Sequence, residues 1–523
     1  MKQLPIGTQS FEILRSNNFL YVDKTQDIYR LVTGNRIIFL SRPRRFGKSL
    51  LISTMDALFK GNKPLFEGLW IYDKWDWTQT CPVLRIDWTD IKHATKEEME
   101  LDMSDFIKHI ATNYGLTLTR RFASSLFGEL IEQLHRKTGQ KVVILIDEYD
   151  APILDTMGTP EMEPIQEFLQ DFYKRLKSND EHLKLIFLTG VSKFAKLSIF
   201  STLNNPNDIT MDEKYAAICG YTQEELESSF ADRIDDLIKH TGMTREELLS
   251  AVRYWYNGYT WDGETSVYNP FSTLLLFDKR EISNYWFTSG TPKFLMEQLK
   301  RRNEIKLVLE PFVADPEIFD SFDPNNIDNI SLLFQTGYLT VKEKMKTFIT
   351  PKYMLALPNQ EVRQSLMKYL LSAYSYYPLS RISLLAEHMS EQLTARDAEG
   401  FAQSIRIMLQ NIPFMLQIGN EKYYHSLFLS WMYTLGFKVE GEIMTGIGCI
   451  DAVLEQPDVI VVSELKYHAK KKIKTLLHEA KKQIYDRRYY EKYSDKGKPV
   501  LLMGLAFSGK EVGCRIEEAD GRL

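Results

Sequence analysis

The run Val142 to Ile146 (VVILI), closed by Asp147-Glu148, constrains this chain more than any other feature. Its apolar residues do not alternate with polar ones, so both faces of the strand must be covered. Similar short runs stand at Arg36 to Leu40 (RIIFL), Val83 to Ile86 (VLRI) and Leu183 to Leu188 (LKLIFL). Amphipathic stretches such as LLISTMDALF and PIQEFLQDFYKRL lie between them. Strands alternating with helices predict an α/β domain, a mostly parallel sheet with helices on both faces.

The first of these strands runs into FLSRPRRFGKSLL, which sets Gly47-Lys48-Ser49 between a strand and an amphipathic helix. That is the setting of a P-loop, in which backbone N–H groups and the helix N-terminus hold phosphate oxygens. Lys48 is then expected to reach the β- and γ-phosphates, and Ser49 to ligate magnesium. Arg44, Arg45, Phe46 and Gly47 complete the expected nucleotide-binding loop. The full G-x-x-x-x-G-K-[ST] pattern would put its first glycine at Arg42, so this chain lacks it. Pro43 also removes an amide donor. The three arginines Arg42, Arg44 and Arg45 bring positive charge that offsets part of that loss. About a hundred residues on, Asp147-Glu148 reads as a Walker B pair, with Asp147 holding magnesium and Glu148 polarising the attacking water. After the next strand, Thr189 is placed to sense the γ-phosphate, an ordinary loop being the alternative.

Near the other end, Asp451 lies in the strand CIDAVLE, and Glu464-Leu465-Lys466 ends the strand DVIVVSELK. Side chains alternate along a strand, so Glu464 and Lys466 share one face. Antiparallel pairing of the two strands brings Asp451 near Glu464, and two carboxylates suit one or two magnesium or manganese ions. Lys466 can orient or help deprotonate water and stabilise charge on a phosphate, as a metal-dependent phosphodiesterase requires. From Glu464 to Lys498 there are twelve Lys and Arg against five Asp and Glu. Lys470, Lys471 and Lys472 head that stretch and suit a phosphate backbone, and Gln483 lies on the helix that follows. The competing reading is a solvated helix face beside a surface ion pair. Glu421, just before the preceding helix, is a weaker candidate for another metal-side carboxylate, and His425, one turn later, reads as a packing or surface histidine.

Between these two blocks the pattern is mainly helical. GYTQEELESSF and GMTREELLSAV each place Thr at a helix N-cap with Glu three residues later. The segment 331–370 reads helix, strand, turn, strand, helix, an order that fits a winged helix. The aromatic groups WYNGYTWDG and NYWFTSG either stack on bases or, as such rings near turns more often do, pack a domain joint. The expected division is a P-loop domain over 1–210, a helical and winged-helix region over 211–415, and a smaller α/β domain over 416–523.

Composition excludes several classes. The formal net charge of -5 rules out a uniformly basic protein that coats nucleic acid, though not a local basic face. The four cysteines, Cys81, Cys219, Cys449 and Cys514, contain no C-x-x-C pair. A disulfide framework or zinc ribbon is therefore not expected, and a cytoplasmic location is. The N-terminal residues lack a signal-peptide core, and no apolar run approaches bilayer length.

Taken together, the motifs resemble those of bacterial proteins with an N-terminal AAA-ATPase-like domain and a C-terminal PD-(D/E)XK nuclease-like domain of restriction-endonuclease type. They include YVDKT, FLSRPRRFGKSLL, PVLRID, VVILIDEYD, LTGVSKFAKLSIFSTLNN, WYNGYTWDG, LLFQTGYL, LPNQEVR, IDAVLE and SELKY, and cover nearly the whole chain. In this family the RPRRFGKS form of the loop is usual. The resemblance implies magnesium-dependent ATP binding through Lys48, Ser49 and Asp147, with Glu148 hydrolytic. It maps the nuclease-like site onto Asp451, Glu464, Lys466 and Gln483. Relatives often carry Arg where this chain has Cys449, beside the metal strand, a departure expected to weaken phosphate contact without abolishing chemistry. The expectation is an ATP-regulated nuclease acting on DNA. The alternative is a nucleotide-switched DNA or protein binder with a non-catalytic nuclease fold. A homo-oligomer or protein partner is compatible with either.

Overall fold

A computed structural model describes residues 1–193, 206–286, 311–319, 328–347, 350–366, 379–410, 421–434, 437–445, 448–456, 459–509 and 511–519. These fall into two compact units, one ending at Glu361 and the other beginning at Val362. The boundary lies inside the stretch 211–415 that the sequence sets apart as the middle region. Among the described residues, no helix is long and apolar enough to cross a membrane.

The first unit is built on five parallel strands: β1 (Ile37–Ser41), β2 (Val83–Asp87), β3 (Val142–Asp147), β4 (Leu183–Gly190) and β5 (Asn207–Asp208). Their spatial order is β2-β3-β4-β1-β5, so β4 separates the strand before the P-loop from the strand before Asp147-Glu148. Every residue of β3 is buried, as its unbroken apolar run demands. Val142, Ile144 and Ile146 pack with Leu126, Leu130 and Phe172 from helices Ala123–Thr138 and Met162–Ser178. The helix Lys48–Phe59, with Ile52, Met55 and Phe59 buried, also packs on β3. Loops at the carboxyl ends of parallel strands are where such sheets gather ligand groups. Here those loops carry Gly47 to Ser49, Asp147-Glu148 and Thr189-Gly190.

Helices Gln223–Ser229 and Arg245–Tyr256 begin at the capping boxes foreseen in the sequence, Thr222 with Glu225 and Thr244 with Glu247. They share a core with Leu4, Leu20 and Val22 from the N-terminal segment. The foreseen helix–strand–turn–strand order is present as helix Asn329–Gln335, β7 (Thr340–Met345) and β8 (Lys352–Ala356), and residues 360–366 are helical. A third strand, β6 (Phe312–Ala314), pairs with β8 to give an antiparallel sheet ordered β6-β8-β7.

The second unit carries a mixed sheet of β9 (Lys438–Thr445), β10 (Gly448–Glu455), β11 (Ile460–Tyr467), β12 (Val500–Ser508) and β13 (Glu511–Glu518), ordered β13-β12-β11-β10-β9. β11 and β12 are parallel, joined through helix Ile473–Asp486, and the other pairs are antiparallel. One face packs Phe428 and Trp431 of helix Glu421–Thr434 on Leu454, Val461 and Met503. The other packs Ile484 and Tyr489 on Val453, Val462 and Leu502. The sequence pattern ended this sheet at VLLMGLAF. β13 is an additional edge strand, and its mixed residues EVGCRIEE carry only a weak strand signal.

Candidate functional site

In the first unit, β1 ends at Ser41 and the loop 42–47 turns into the helix Lys48–Phe59. Two residues with positive φ make that turn, Arg45 at 69° and Gly47 at 90°. Arg42 has no positive φ, so its position does not demand the glycine of the general motif. Lys48 is 3% exposed and turns its ammonium back over the loop. Its Nζ donates to the carbonyls of Arg42 at 3.1 Å and Pro43 at 3.3 Å, and lies 3.4 Å from Glu148 Oε1. Glu148 itself has φ 46°, a left-handed backbone that a non-glycine residue rarely adopts outside a constrained site.

Asp147 is fully buried, and its Oδ2 has no hydrogen-bond partner. Burial, with the neighbouring Glu148 charge, pushes its carboxyl up to about 6, while the Ser49 hydroxyl and Lys48 pull the other way. The structure thus brings together Gly47, Lys48, Ser49, Asp147 and Glu148. Arg44 and Arg45 are exposed, with Arg45 over the Phe271 ring at 4.9 Å. Phe46 is buried edge-on against Tyr259 and Trp261, and the Gly337 backbone comes so close to Pro43 that a Cβ there would lie 2.8 Å from the proline ring. Tyr259 and Trp261 of WYNGYTWDG therefore pack against the phosphate loop, while Trp255 and Tyr256 belong to the helical core. The rings of NYWFTSG after Trp286 lie outside the described residues, as do residues 194–205 of the LTGVSKFAKLSIFSTLNN motif.

Two residues sit differently from the sequence expectation. Thr189 is fully buried and donates its hydroxyl to the Leu40 carbonyl at 2.7 Å, locking β4 to β1. Arg42, counted with the loop cations, is fully buried with its guanidinium turned inward. Sequence reasoning also gave no role to Asp150 or Asp87. Asp150 is buried and accepts from Ser192 N at 2.6 Å, Ser192 Oγ at 2.5 Å and Val191 N at 3.2 Å. Asp87 pairs in register with Asp147 across β2 and β3 and adds negative charge beside it. The third acid of DEYD and the terminal acid of PVLRID were the available signals.

In the second unit, Ala452 pairs with Ser463 in the β10–β11 register, so Asp451 and Glu464 face each other one step beyond it. Asp451 Oδ2 accepts from Leu465 N at 2.7 Å, and His425 Nε2 is 2.6 Å from the Asp451 carbonyl. Glu464 is fully buried. Burial, then the Asp451 charge, raises its carboxyl to about 7. Its Oε1 accepts from Lys466 Nζ at 2.7 Å, and its Oε2 has no hydrogen-bond partner. Burial also pushes Asp451 up. Lys466 is held above its usual value, its carboxylate neighbours outweighing burial. Glu421 approaches Lys466 at 3.8 Å and accepts from Tyr467 N at 3.2 Å. Asp451, Glu464, Lys466 and Glu421 are thus one cluster. Among the described residues, no three His, Cys, Asp or Glu side chains form a ready-made metal cage.

Lys470, Lys471 and Lys472 are exposed in the connection from β11 to helix Ile473–Asp486, and Lys471 pairs with Glu479 at 2.7 Å. Gln483 is half-buried on that helix. The side chain of Cys449 lies outside the described residues.

The order of these two units defines a class of protein. Residues 5–200 match a family model described as predicted AAA-ATPase, and residues 419–517 match one of the PD-(D/E)XK nuclease superfamily. The chain is also 38% identical, over 514 residues, to an uncharacterized protein in the vnfD 5' region of Azotobacter chroococcum mcd 1, covering 97% of this chain and 96% of that protein. The chain belongs to that family, in which an AAA-ATPase-like domain precedes a PD-(D/E)XK nuclease-like domain.

Proposed function

We propose that this chain binds magnesium-ATP in its first unit and hydrolyses it, and that its second unit is a metal-dependent nuclease acting on DNA. One observation supports both halves: each site holds a buried carboxylate oxygen without a hydrogen-bond partner, Asp147 Oδ2 and Glu464 Oε2. An unsatisfied buried carboxylate is costly, and a divalent cation removes that cost.

In the first unit, Ser49 and Asp147 would hold magnesium, which supplies charge neutralisation at the phosphates. Gly47 and the helix N-terminus present amide donors, and Lys48 can exchange its loop carbonyls for phosphate oxygens. Glu148 is the only acid of this group with part of its surface open, which suits a group that must meet water. A small cleft of about 70 Å³, lined by Leu20, Tyr21, Val22, Gly47, Ile218 and Tyr221, adjoins the loop and offers a largely apolar wall to a nucleoside.

In the second unit, Asp451 and Glu464 would hold magnesium or manganese, which supplies the Lewis acidity for phosphodiester hydrolysis. Lys466 stays protonated at neutral pH, because its carboxylate neighbours raise it. Its role is therefore to stabilise phosphate charge and orient water rather than to remove a proton. The exposed Lys470 to Lys472 run, directly after that strand, suits a DNA backbone. Coupling between ATP and cleavage belongs to the same proposal.

The test is plasmid and linear DNA incubated with purified protein, Mg²⁺ or Mn²⁺, and with or without ATP. Cleavage by wild type and its loss in Asp451→Ala supports the reading, and equal inactivity of both in every condition defeats the nuclease half. The tight Lys466–Glu464 pair at 2.7 Å favours a second reading, a nucleotide-switched binder whose nuclease fold is non-catalytic. That reading expects DNA binding which survives Glu464→Ala.

A further inference from the structure

Arg42 occupies the place where the general P-loop has its first glycine, yet its side chain does not reach toward the loop's mouth. The guanidinium is fully buried behind the loop. Nη1 donates to the carbonyls of Ser41 and Thr210, both at 2.9 Å, and Nη2 to that of Tyr215 at 3.1 Å. Its Cζ lies 3.8 Å from the centroid of the Trp261 ring, so it stacks on that indole. Its own carbonyl, in turn, accepts from Lys48 Nζ at 3.1 Å. One residue therefore ties the loop backbone to β5's outgoing segment and to Trp261.

The charge balance around it is unusual. Among the described residues no carboxylate forms an ion pair with Arg42, and Nε has no hydrogen-bond partner. The nearby acids are otherwise engaged: Asp208 pairs with Lys193 at 2.8 Å, and Asp262 accepts from Glu264 N at 2.9 Å and Thr265 N at 2.8 Å. Burial pushes the guanidinium down to about 10, which still leaves it charged at neutral pH. A buried cation held only by carbonyls and a ring is compensated in part, and its field extends into the adjoining low-dielectric site. Meanwhile Pro43 has removed one amide that would contact phosphate.

We propose that Arg42 is a positioning and specificity-determining residue for nucleoside polyphosphates. Its hydrogen bonds set the loop's shape, and its buried charge favours ligands in proportion to their negative charge. It touches no ligand. This rests on the nucleotide-binding reading given above.

Calorimetric titration of the full chain with Mg-ATP, Mg-ADP and AMP tests it. In wild type, affinity is expected to climb with ligand charge. In Arg42→Gln, the preference for Mg-ATP over Mg-ADP shrinks by about tenfold, as loss of a unit charge acting through protein implies. Arg42→Lys keeps the charge but not the planar fork, so it weakens all three ligands while retaining the preference. A purely structural role would lower all affinities together in both variants. An Arg42→Gln protein that binds ATP with the wild-type ratio, or a wild type that binds the three ligands equally, overturns the inference and leaves the site's reading intact. A wild type that binds none of them defeats that reading, and this inference with it. If Arg42→Gln does not fold, Arg42→Met, which also removes the charge but keeps an unbranched stem against Trp261, reads the same ratio with the same two outcomes.

Discussion

Val191 and Ser192, the described start of the loop after β4, are anchored by Asp150, and removing that carboxylate should release them. Val191 and Ser192 direct both backbone N–H groups at Asp150, and the Ser192 hydroxyl adds a third donor. Tyr149 donates its hydroxyl to the Ser192 carbonyl at 2.7 Å, and Ser41 does the same to the Val191 carbonyl at 2.6 Å. The segment 191–192 thus joins the end of β1 to the turn after Asp147-Glu148. In Asp150→Ala the two amides lose their acceptor in a space closed to water. A buried donor left unpaired costs ~1–3 kcal/mol, so the pair costs ~2–6 kcal/mol. Even the low end corresponds to a roughly 30-fold rise in the open population of the loop.

Hydrogen exchange followed by mass spectrometry on a peptide spanning β4 and residues 191–193 measures this directly. Asp150→Asn, which keeps one acceptor oxygen, should fall between wild type and Asp150→Ala. ATP hydrolysis should decline in Asp150→Ala more than ATP binding does, because the loop abuts the Asp147-Glu148 turn rather than Gly47. Protection that stays within threefold of wild type in a folded Asp150→Ala protein would refute the reasoning, since the segment would then be held by its other bonds, to Tyr149, to Ser41 and, through Lys193, to Gln335 and Asp208.

Two further predictions concern buried acids. Glu361 is fully buried and accepts from Tyr285 N at 2.8 Å and Trp286 N at 2.9 Å, and burial raises its carboxyl from the usual 4.5 to about 7. The folded state therefore holds this proton more tightly than the unfolded chain does, and the associated stability, ~3 kcal/mol, is complete below pH 4.5 and lost as pH rises through 7. Glu361→Gln should flatten that decline in thermal scans between pH 5 and 8, and an unchanged slope counts against the assignment. In the second unit, a cation held by Glu464 would have to displace a proton that burial and the Asp451 charge hold up to about 7. Manganese affinity measured by titration should consequently fall by about tenfold per pH unit below 7, and by much less in Glu464→Gln. Affinity that is flat from pH 5.5 to 7.5 would show that Glu464 is not a ligand.

The parts of this molecule that were legible in the sequence are those written in short-range pattern. VVILIDEYD announces a buried strand ending in acids, because an unbroken apolar run has one structural use in a protein with this alternation of elements. Gly47-Lys48-Ser49 is recognisable from its neighbours on both sides. Asp451 and Glu464 could be paired because a short turn and strand alternation fix the register. What was not legible depends on partners remote in sequence. Arg42 reads as a loop cation beside Arg44 and Arg45, and nothing local shows that the carbonyls of Thr210 and Tyr215 will claim it. Thr189 looks like a polar sensor until the Leu40 carbonyl, on another strand, takes its hydroxyl. β13 escaped notice because an edge strand with one wet face can mix charged and apolar residues freely.

The two candidate sites share a physical arrangement that neither motif states. In each, a buried carboxylate oxygen lacks a partner while the neighbouring lysine is already engaged, Lys48 with two carbonyls and Glu148, Lys466 with Glu464. A phosphate arriving alone would have to draw the lysine from those partners and would leave the carboxylate unrelieved. A cation arriving alone would satisfy the carboxylate, but it would sit beside a lysine still held close by. Only the pair satisfies both charges at once, so each site should favour a metal–phosphate complex over either component. The lysines differ in what they leave behind. Lys48 releases carbonyls and a partly exposed glutamate, whereas Lys466 uncovers a fully buried one. If a cation binds there, the second site should depend on it more steeply, and the stringency of that requirement would follow from burial rather than from the number of ligands.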